Sequence, residues 1–295
     1  MKLATILINY NDEENTIKLA KTLESYEIIS KILIVDNCSP EEAGFEKIKE
    51  IENEKIYVIK ADKNGGYNYG INYGVHFLES KDQKFDIIMC SNTDIEISEE
   101  AIKECVEFLD TNCRAGIVAP KMLDKDRKHI RRSSWKLRTF KRDIIHSTRL
   151  LEIIFYSKLR AGEYLEEDYK KAELEVEAIS GACFFIKYEV LKKIDYLDEN
   201  VFLFYEEDIL GYKLKEVGYR IYSLNNINFV HFESQSIGKT INYYKKMKQL
   251  FKSKMYYQKR YNKINKFQSI CFYILWILRC LELCFEIPIR KILKK

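Results

Sequence analysis

Phe85-Asp86-Ile87-Ile88-Met89-Cys90-Ser91-Asn92-Thr93-Asp94-Ile95-Glu96 is an apolar run that ends abruptly in polar turn formers. Four apolar residues bounded this way, Ile87–Cys90, suit a strand buried on both faces, as in a parallel sheet. In open α/β sheets ligands bind just beyond the carboxyl ends of such strands. Asn92 and Asp94 lie two apart at that edge, so both can aim an oxygen at one hard cation that also holds phosphate oxygens. The same residues also suit a plain helix entry, with Ser98 capping a helix near Glu99–Leu109 and Asp94 only shaping the turn.

The flanking chain repeats the pattern. Leu3–Ile8, Lys31–Val35 and Lys55–Ile59 are apolar strand patterns, separated by helical spacings around Ile17–Leu23 and Glu41–Ile51. Lys63-Asn64-Gly65-Gly66-Tyr67 then leads into a helix reaching about Leu78. This alternation predicts an α/β fold, a mostly parallel sheet flanked by helices with right-handed crossovers. Ala115–Ala119 reads as a further strand. Residues 121–175 are charged and irregular, with a basic run (Lys125, Arg127, Lys128, Arg131, Arg132, Lys136, Arg138, Lys141, Arg142). They read as an insertion of loops and short helices on the ligand side, the basic run being either solvated surface or acceptor-binding. Regularity returns at Val176–Lys187, where Gly181 interrupts a strand and permits close backbone approach to a ligand. Tyr188–Ile194 looks helical, a second helix follows Glu206-Glu207-Asp208 and closes at Gly218, and Tyr219–Leu224 and Ile227–His231 read as short strands.

The chain has 295 residues and a formal net charge of +4, which is unevenly spread. No Asp or Glu occurs from Ser234 to Leu281, while lysines crowd that span. Such a block implies an anionic partner, either a membrane surface or nucleic acid. No nucleic-acid recognition motif accompanies it, and the lysines interleave with Leu250, Phe251, Met255, Tyr256 and Tyr257 before the apolar Ile270–Leu278. The tail reads as an interfacial amphipathic segment on an anionic inner leaflet. The alternative is a helical pair packed on the preceding domain or on a second subunit in a homodimer. Ile270–Leu278 is about half the length of a spanning helix. Eight cysteines without a C-x-x-C pair, and Met1-Lys2 running directly into a strand pattern, point to a reduced, cytoplasmic protein, peripheral at the inner face of the cell membrane.

Four groups with chemical potential fall after strands or at helix starts. Asp36 follows the second strand, where a carboxylate can accept from a nucleobase or ribose. Asn64-Gly65-Gly66 precedes a helix whose N-terminal amides favour anions. Asn92-x-Asp94 can take a metal. Glu206-Glu207-Asp208 sets three carboxylates at a helix start, either as dipole-stabilised decoration or, beside Phe202–Tyr205, as a general base raised in pKa by burial. His231 ends a strand, as either a structural residue or a ligand.

Taken in order, Leu7-Ile8-Asn9-Tyr10-Asn11, Val35-Asp36-Asn37-Cys38-Ser39, Asn64-Gly65-Gly66-Tyr67-Asn68-Tyr69-Gly70-Ile71-Asn72-Tyr73-Gly74, Asn92-Thr93-Asp94, Gly181-Ala182-Cys183-Phe184-Phe185, Phe204-Tyr205-Glu206-Glu207-Asp208 and His231 resemble family 2 glycosyltransferases of the GT-A fold. The likeness leans toward the bacterial rhamnosyltransferase-like branch that builds surface polysaccharides. It implies inverting transfer of a hexosyl or deoxyhexosyl group from a UDP- or dTDP-linked sugar to a glycan or lipid-linked acceptor. It also implies a catalytic domain over 1–238, with a nucleotide-binding half (1–120) and an acceptor half (121–238), followed by the tail at 239–295. Asn9, Tyr10, Asn11, Asp36, Asn37, Asn64, Gly65, Gly66, Asn72, Asn92, Thr93 and Gly181 would line the donor pocket. Asp94, with His231 and Asn92, would hold Mn²⁺ or Mg²⁺, Asn92 standing where the family carries a carboxylate. Glu207 would be the base, with Asp208 its rival. A non-catalytic nucleotide-sugar-binding scaffold of the same fold is the alternative. A dinucleotide oxidoreductase is disfavoured, since Asn9-Tyr10-Asn11-Asp12-Glu13 lacks G-x-G-x-x-G.

Overall fold

The computed structural model describes residues 1–81, 84–130, 133–155, 162–232 and 243–293. The first half runs β1 (Leu3–Asn9), α1 (Glu13–Glu24), β2 (Ile29–Asp36), α2 (Glu42–Lys49), β3 (Ile56–Lys60), α3 (Tyr67–Ser80), β4 (Ile87–Ser91), β5 (Ile95–Ile97), α4 (Glu99–Thr111) and β6 (Ala115–Leu123). The second runs β7 (Ser134–Trp135), α5 (Phe140–Ile145), α6 (Arg149–Ile154), β8 (Glu173–Val176), β9 (Ala178–Ile179), β10 (Cys183–Lys187), α7 (Tyr188–Lys193), α8 (Glu206–Glu216), β11 (Arg220–His231), α9 (Tyr243–Arg260) and α10 (Lys266–Leu293).

The main sheet has the order β3-β2-β1-β4-β10-β6-β11-β5, with β8 added against β11. Strands β1 to β4 are mutually parallel, and β11 is parallel to β6, as the strand–helix alternation predicts. Their inner residues are apolar at successive positions because both faces are covered. Leu3, Leu7, Ile32, Ile34 and Met89 pack with Leu19, Leu23, Ile48 and Ile102 on one side. Ala4, Ile6, Leu33, Val35 and Cys90 pack with Ile71, Val75 and Leu78 of α3 on the other.

Three features were not anticipated. β10 runs antiparallel between β4 and β6, and Cys183 pairs with Ser91. The start of β10 therefore lies at the carboxyl end of β4, which carries Gly181 and Ala182 to the ligand edge. The two strands expected over Tyr219–His231 are one strand, with a register shift between Leu224 and Asn228. The short β5 pairs antiparallel with the end of β11, setting His231 opposite Ile95.

Other expectations hold. Ser98 caps α4, its side chain accepting from the Ala101 N–H at 3.2 Å. Gly218 sits at φ +85° after α8. The 121–175 stretch does contain short helices, α5 and α6, besides the edge strand β8; its Arg131 and Arg132 lie outside the described residues. All eight cysteines are free, with Cys90, Cys105 and Cys183 buried. Among the described residues no helix is long and apolar enough to cross a membrane.

Candidate active site

The loops after β1 and β2 are tied by one buried carboxylate. Asp36 accepts from Asn9 Nδ2 at 2.6 Å, from Ser39 Oγ at 2.6 Å and from the Ser39 N–H at 2.9 Å. Ser39 Oγ accepts in turn from the Asn11 N–H at 3.0 Å, and Asn9 Oδ1 receives Thr16 Oγ1 and the Asp12 N–H. Asp36 is fully buried, so in this arrangement it shapes the two loops around the exposed Asn11 and half-buried Tyr10. Asn37 donates from Nδ2 to Asn64 Oδ1 at 3.2 Å and to the Gly66 carbonyl at 3.0 Å. Its Oδ1 is buried without a partner in the protein, an acceptor still open to a ligand.

A thread of contacts carries this edge to the carboxylates. Gly66 has φ +92°, and a Cβ there would come within 2.4 Å of the Phe202 carbonyl, so only glycine lets the 202–205 turn approach α3. Gly65 is similarly crowded by the Tyr69 ring. Tyr67 donates its hydroxyl to the Gly181 carbonyl at 2.7 Å, the Gly181 N–H donates to Glu207 Oε1 at 3.4 Å, and the Asn92 N–H donates to the Ala182 carbonyl at 2.9 Å. The segment before β10 thus links the Asn92-Thr93-Asp94 loop to α8. Asn72, expected among the donor-pocket residues, is used elsewhere. It is buried and pins the 197–199 turn, donating to the Leu197 carbonyl and Glu199 while accepting from the Leu197 N–H.

Pairing of β5 with β11 closes the metal candidate. His231 Nε2 lies 3.3 Å from Asp94 Oδ1, and the Phe232 N–H donates to the Asp94 carbonyl at 3.0 Å. Thr93 Oγ1 donates to Asp12 Oδ2 at 2.8 Å, tying this loop to the one after β1. Among the described residues no group of three metal-ligating side chains occurs. One carboxylate and one imidazole nonetheless fit an Mn²⁺- or Mg²⁺-type ion that draws its remaining ligands from a diphosphate and water.

The three acidic residues open α8, preceded by Phe204 and Tyr205, both at φ +70°. Non-glycine residues in this region are uncommon, and two in succession aim the helix start at the sheet edge. Burial pushes the Glu207 carboxyl up to about 7, and the Asp208 charge adds to that. Its own N–H, the Gly181 N–H and Arg138 oppose the rise. Glu206 lies well above the ordinary range through burial and the Glu207 charge, and its Oε2 has no partner in the protein. Asp208 is pushed up to about 6, again by burial first, with Arg138 opposing. Its oxygens are occupied: Trp135 Nε1 donates at 3.2 Å, the Arg138 N–H at 3.0 Å, and Arg138 Nε lies 3.3 Å away. Glu207 is met by its own N–H and the long contact from Gly181, and it is less buried than Asp208.

Sequence reasoning missed the support behind these groups. Arg138 belongs to the basic run read as surface or acceptor-binding, yet it lies against Asp208, Asp143 and the Tyr205 ring. Helix α9, from the tail, holds the same assembly. Gln258 donates to Asp143 at 2.6 Å, Asn262 to the Arg138 carbonyl at 2.8 Å and Ser253 to the Leu203 carbonyl at 2.7 Å, while Tyr257 packs on Tyr205. The signal for this was the run Met255-Tyr256-Tyr257, apolar and aromatic among lysines.

A mostly parallel sheet with a nucleotide-type edge at β1, β2 and β4, and an acidic helix start brought to the same edge by an antiparallel β10, defines the GT-A class. The family model described as glycosyl transferase family 2 matches residues 5–194, and the chain belongs to that family. A curated relative is the low-salt glycan biosynthesis hexosyltransferase Agl10 of Haloferax volcanii. It is 24% identical over 229 residues, 78% of this chain and 66% of the relative, so the chain spans just under two thirds of that protein's length. Among solved structures, S. aureus TarS 1–349 in complex with UDP-GlcNAc matches with TM-score 0.57 and 15% identity, over 95% of this chain and 72% of that one. Mannosyltransferase PcManGT from Pyrobaculum calidifontis, in complex with GDP-Man and Mn²⁺, matches with TM-score 0.55 and 14% identity, over 93% and 69%. At these identities the two structures share the fold.

Proposed function

We propose that the chain is an inverting, metal-dependent glycosyltransferase. It moves a hexosyl or deoxyhexosyl group from a UDP- or dTDP-linked donor to a glycan or lipid-linked acceptor, in surface polysaccharide synthesis at the inner membrane face. The observation that carries this reading is the unbroken set of contacts from Asn37 through Gly66, the 202–205 turn, Glu207, Gly181 and Ala182 to Asn92, with the Asp94–His231 pair next to it. Family membership and the nucleotide-sugars bound by the matched structures support it.

In this reading Glu207 takes the proton from the acceptor hydroxyl as its oxygen bonds to the anomeric carbon from the face opposite the diphosphate. The anomeric carbon–oxygen bond breaks, and the electron pair leaves with the nucleoside diphosphate. Its developing charge is met by the amides that open α3. A cation held by Asp94 with His231 and Asn92 would add Lewis-acid stabilisation of that leaving group. Asp208, engaged by Arg138 and Trp135, orients the start of α8 rather than moving a proton. Asn37 Oδ1 and Glu206 Oε2, buried and unpaired, are polar atoms for donor and acceptor hydroxyls to satisfy.

The test is nucleoside-diphosphate release and thermal shift across UDP-, dTDP- and GDP-sugars, with Mn²⁺, Mg²⁺ or EDTA. A donor that raises the melting temperature with metal and turns over only with metal is the expected result. Binding without turnover against the whole panel, acceptors included, would transfer the chain to the scaffold reading.

A further inference from the structure

Helix α10 is built inside out. Three charged residues in its middle turn toward the protein: Arg279 pairs with Glu282 at 2.9 Å and with Glu286 at 2.8 Å, all three being largely buried. Its outward face carries Phe267, Ile270, Ile274, Ile277, Leu281 and Phe285, between 53% and 74% exposed. Steps of three and four residues put them in one stripe, which extends over about 27 Å at 1.5 Å per residue. The apolar surface continues onto α6. Glu282 accepts from the Arg149 and Leu150 N–H groups at 2.8 and 3.1 Å, which holds the exposed Leu150, Ile153 and Ile154 beside α10. Along the other flank, Lys245, Lys248, Lys252 and Lys259 form an exposed row on α9, and Lys259 Nζ lies 5.5 Å from the centre of the exposed Tyr273 ring.

A soluble chain rarely leaves an apolar stripe of this length open to water, and such patches mark interaction surfaces. We propose that α10 and α6 form a docking face for an anionic phospholipid bilayer. In it α10 lies in the plane of the interface, its stripe among the acyl chains and the α9 lysine row at the headgroups. Charge decides the occupant. A second copy set face to face would bring two lysine rows together with no intervening carboxylate on α9, whereas anionic headgroups complement them. A spanning insertion would carry Arg279, Glu282 and Glu286 into hydrocarbon. The proposal leans on the transferase reading only for its purpose, a lipid-linked acceptor, and vesicle binding needs neither donor nor metal.

Flotation of the full chain with phosphatidylcholine vesicles, with and without phosphatidylglycerol, tests it. The wild type is expected to float with the phosphatidylglycerol vesicles, on the order of tenfold or more better than without that lipid, and less so in high salt. I274D/I277D should stay at the bottom of the gradient. K245E/K252E/K259E should lose the preference for anionic lipid. All three substituted lysines and both isoleucines are exposed, so an unchanged melting transition identifies folded variants. Wild-type protein that ignores anionic vesicles, or floats equally well as I274D/I277D, overturns the proposal. So does a dimer by sedimentation that I274D/I277D dissociates while no vesicle binds. Flotation without donor turnover would count against the transferase reading alone.

Discussion

Glu207 and Asp208 are chain neighbours in contrasting surroundings. Asp208 is held by an indole N–H, a backbone N–H and a guanidinium, while the partly buried Glu207 has backbone N–H contacts alone, the one from Gly181 being long, and a carboxyl raised to about 7. A base must be ionised to act, so kcat/KM for the donor is expected to rise with pH through about 7. A Glu207→Gln variant should lose about 10²–10⁴-fold in turnover and keep donor affinity. Its stability should move the other way. A carboxyl raised on folding favours the fold below its unfolded pKa, and that contribution is lost as pH climbs through the folded value. The ionised, buried Glu207 therefore costs on the order of 3 kcal/mol at about pH 8. Glu207→Gln should thus melt higher than wild type at about pH 8 and nearly equal to it at about pH 4. A variant that melts lower at the alkaline end would place Glu207 in a structural role. Asp94→Asn should raise the Mn²⁺ needed for half-maximal activity far more than it changes the melting temperature without metal, read by metal titration.

At the level of elements, the proposed catalytic edge is assembled by close backbone approaches. Gly66→Ala would drive a methyl into the Phe202 carbonyl at a backbone angle that alanine avoids, costing roughly 1–3 kcal/mol. It should also displace the 202–205 turn that leads into α8. Gly218→Ala has the same positive angle but open space around it, so it should cost only about 1 kcal/mol in a urea melt and leave turnover intact. The strand–helix alternation was legible because buried parallel strands are continuously apolar and each helix carries one apolar stripe. Asn64-Gly65-Gly66 and Asn92-Thr93-Asp94 stood out as candidates because they occupy the few residues between such patterns. β5 was not legible, since Ile95-Glu96-Ile97 is too short to show a period. Its pairing with β11 is what sets His231 beside Asp94. Arg138 was misread because its partner Asp208 lies seventy positions away, and nothing local separates a buried ion pair from a solvated basic run. The spacing of Asn72 after Gly66 suits a ligand-facing helix start, and its bonds to the 197–199 turn leave no sign in the local sequence.

For the molecule as a whole, the boundary expected at 238/239 lies outside the described residues, and α9, the first described element beyond it, packs onto the body of the fold. Val201, Tyr205 and Ile209 form one buried cluster with Tyr257 of α9, and Asp143 reaches Arg138 and Gln258 together. Cutting at 238 would expose that cluster and strip Asp143 of the amide it accepts from. It should yield protein that aggregates or melts well below the full chain, with little donor turnover. Cutting at 265 removes only α10, whose buried contacts are fewer, chiefly Phe272 against Phe140 and Phe251 against Trp276 and Tyr273. That shorter chain should fold, bind donor with metal and turn over a soluble acceptor, while losing the vesicle binding that depends on the α10 stripe. Melting and turnover of the two truncations side by side check this. If the cut at 238 left both intact, α9 would be an appendage rather than the wall behind the base. If the cut at 265 were as damaging as the cut at 238, the two helices would form one structural unit, and the outward stripe of α10 could not be varied independently of the catalytic edge.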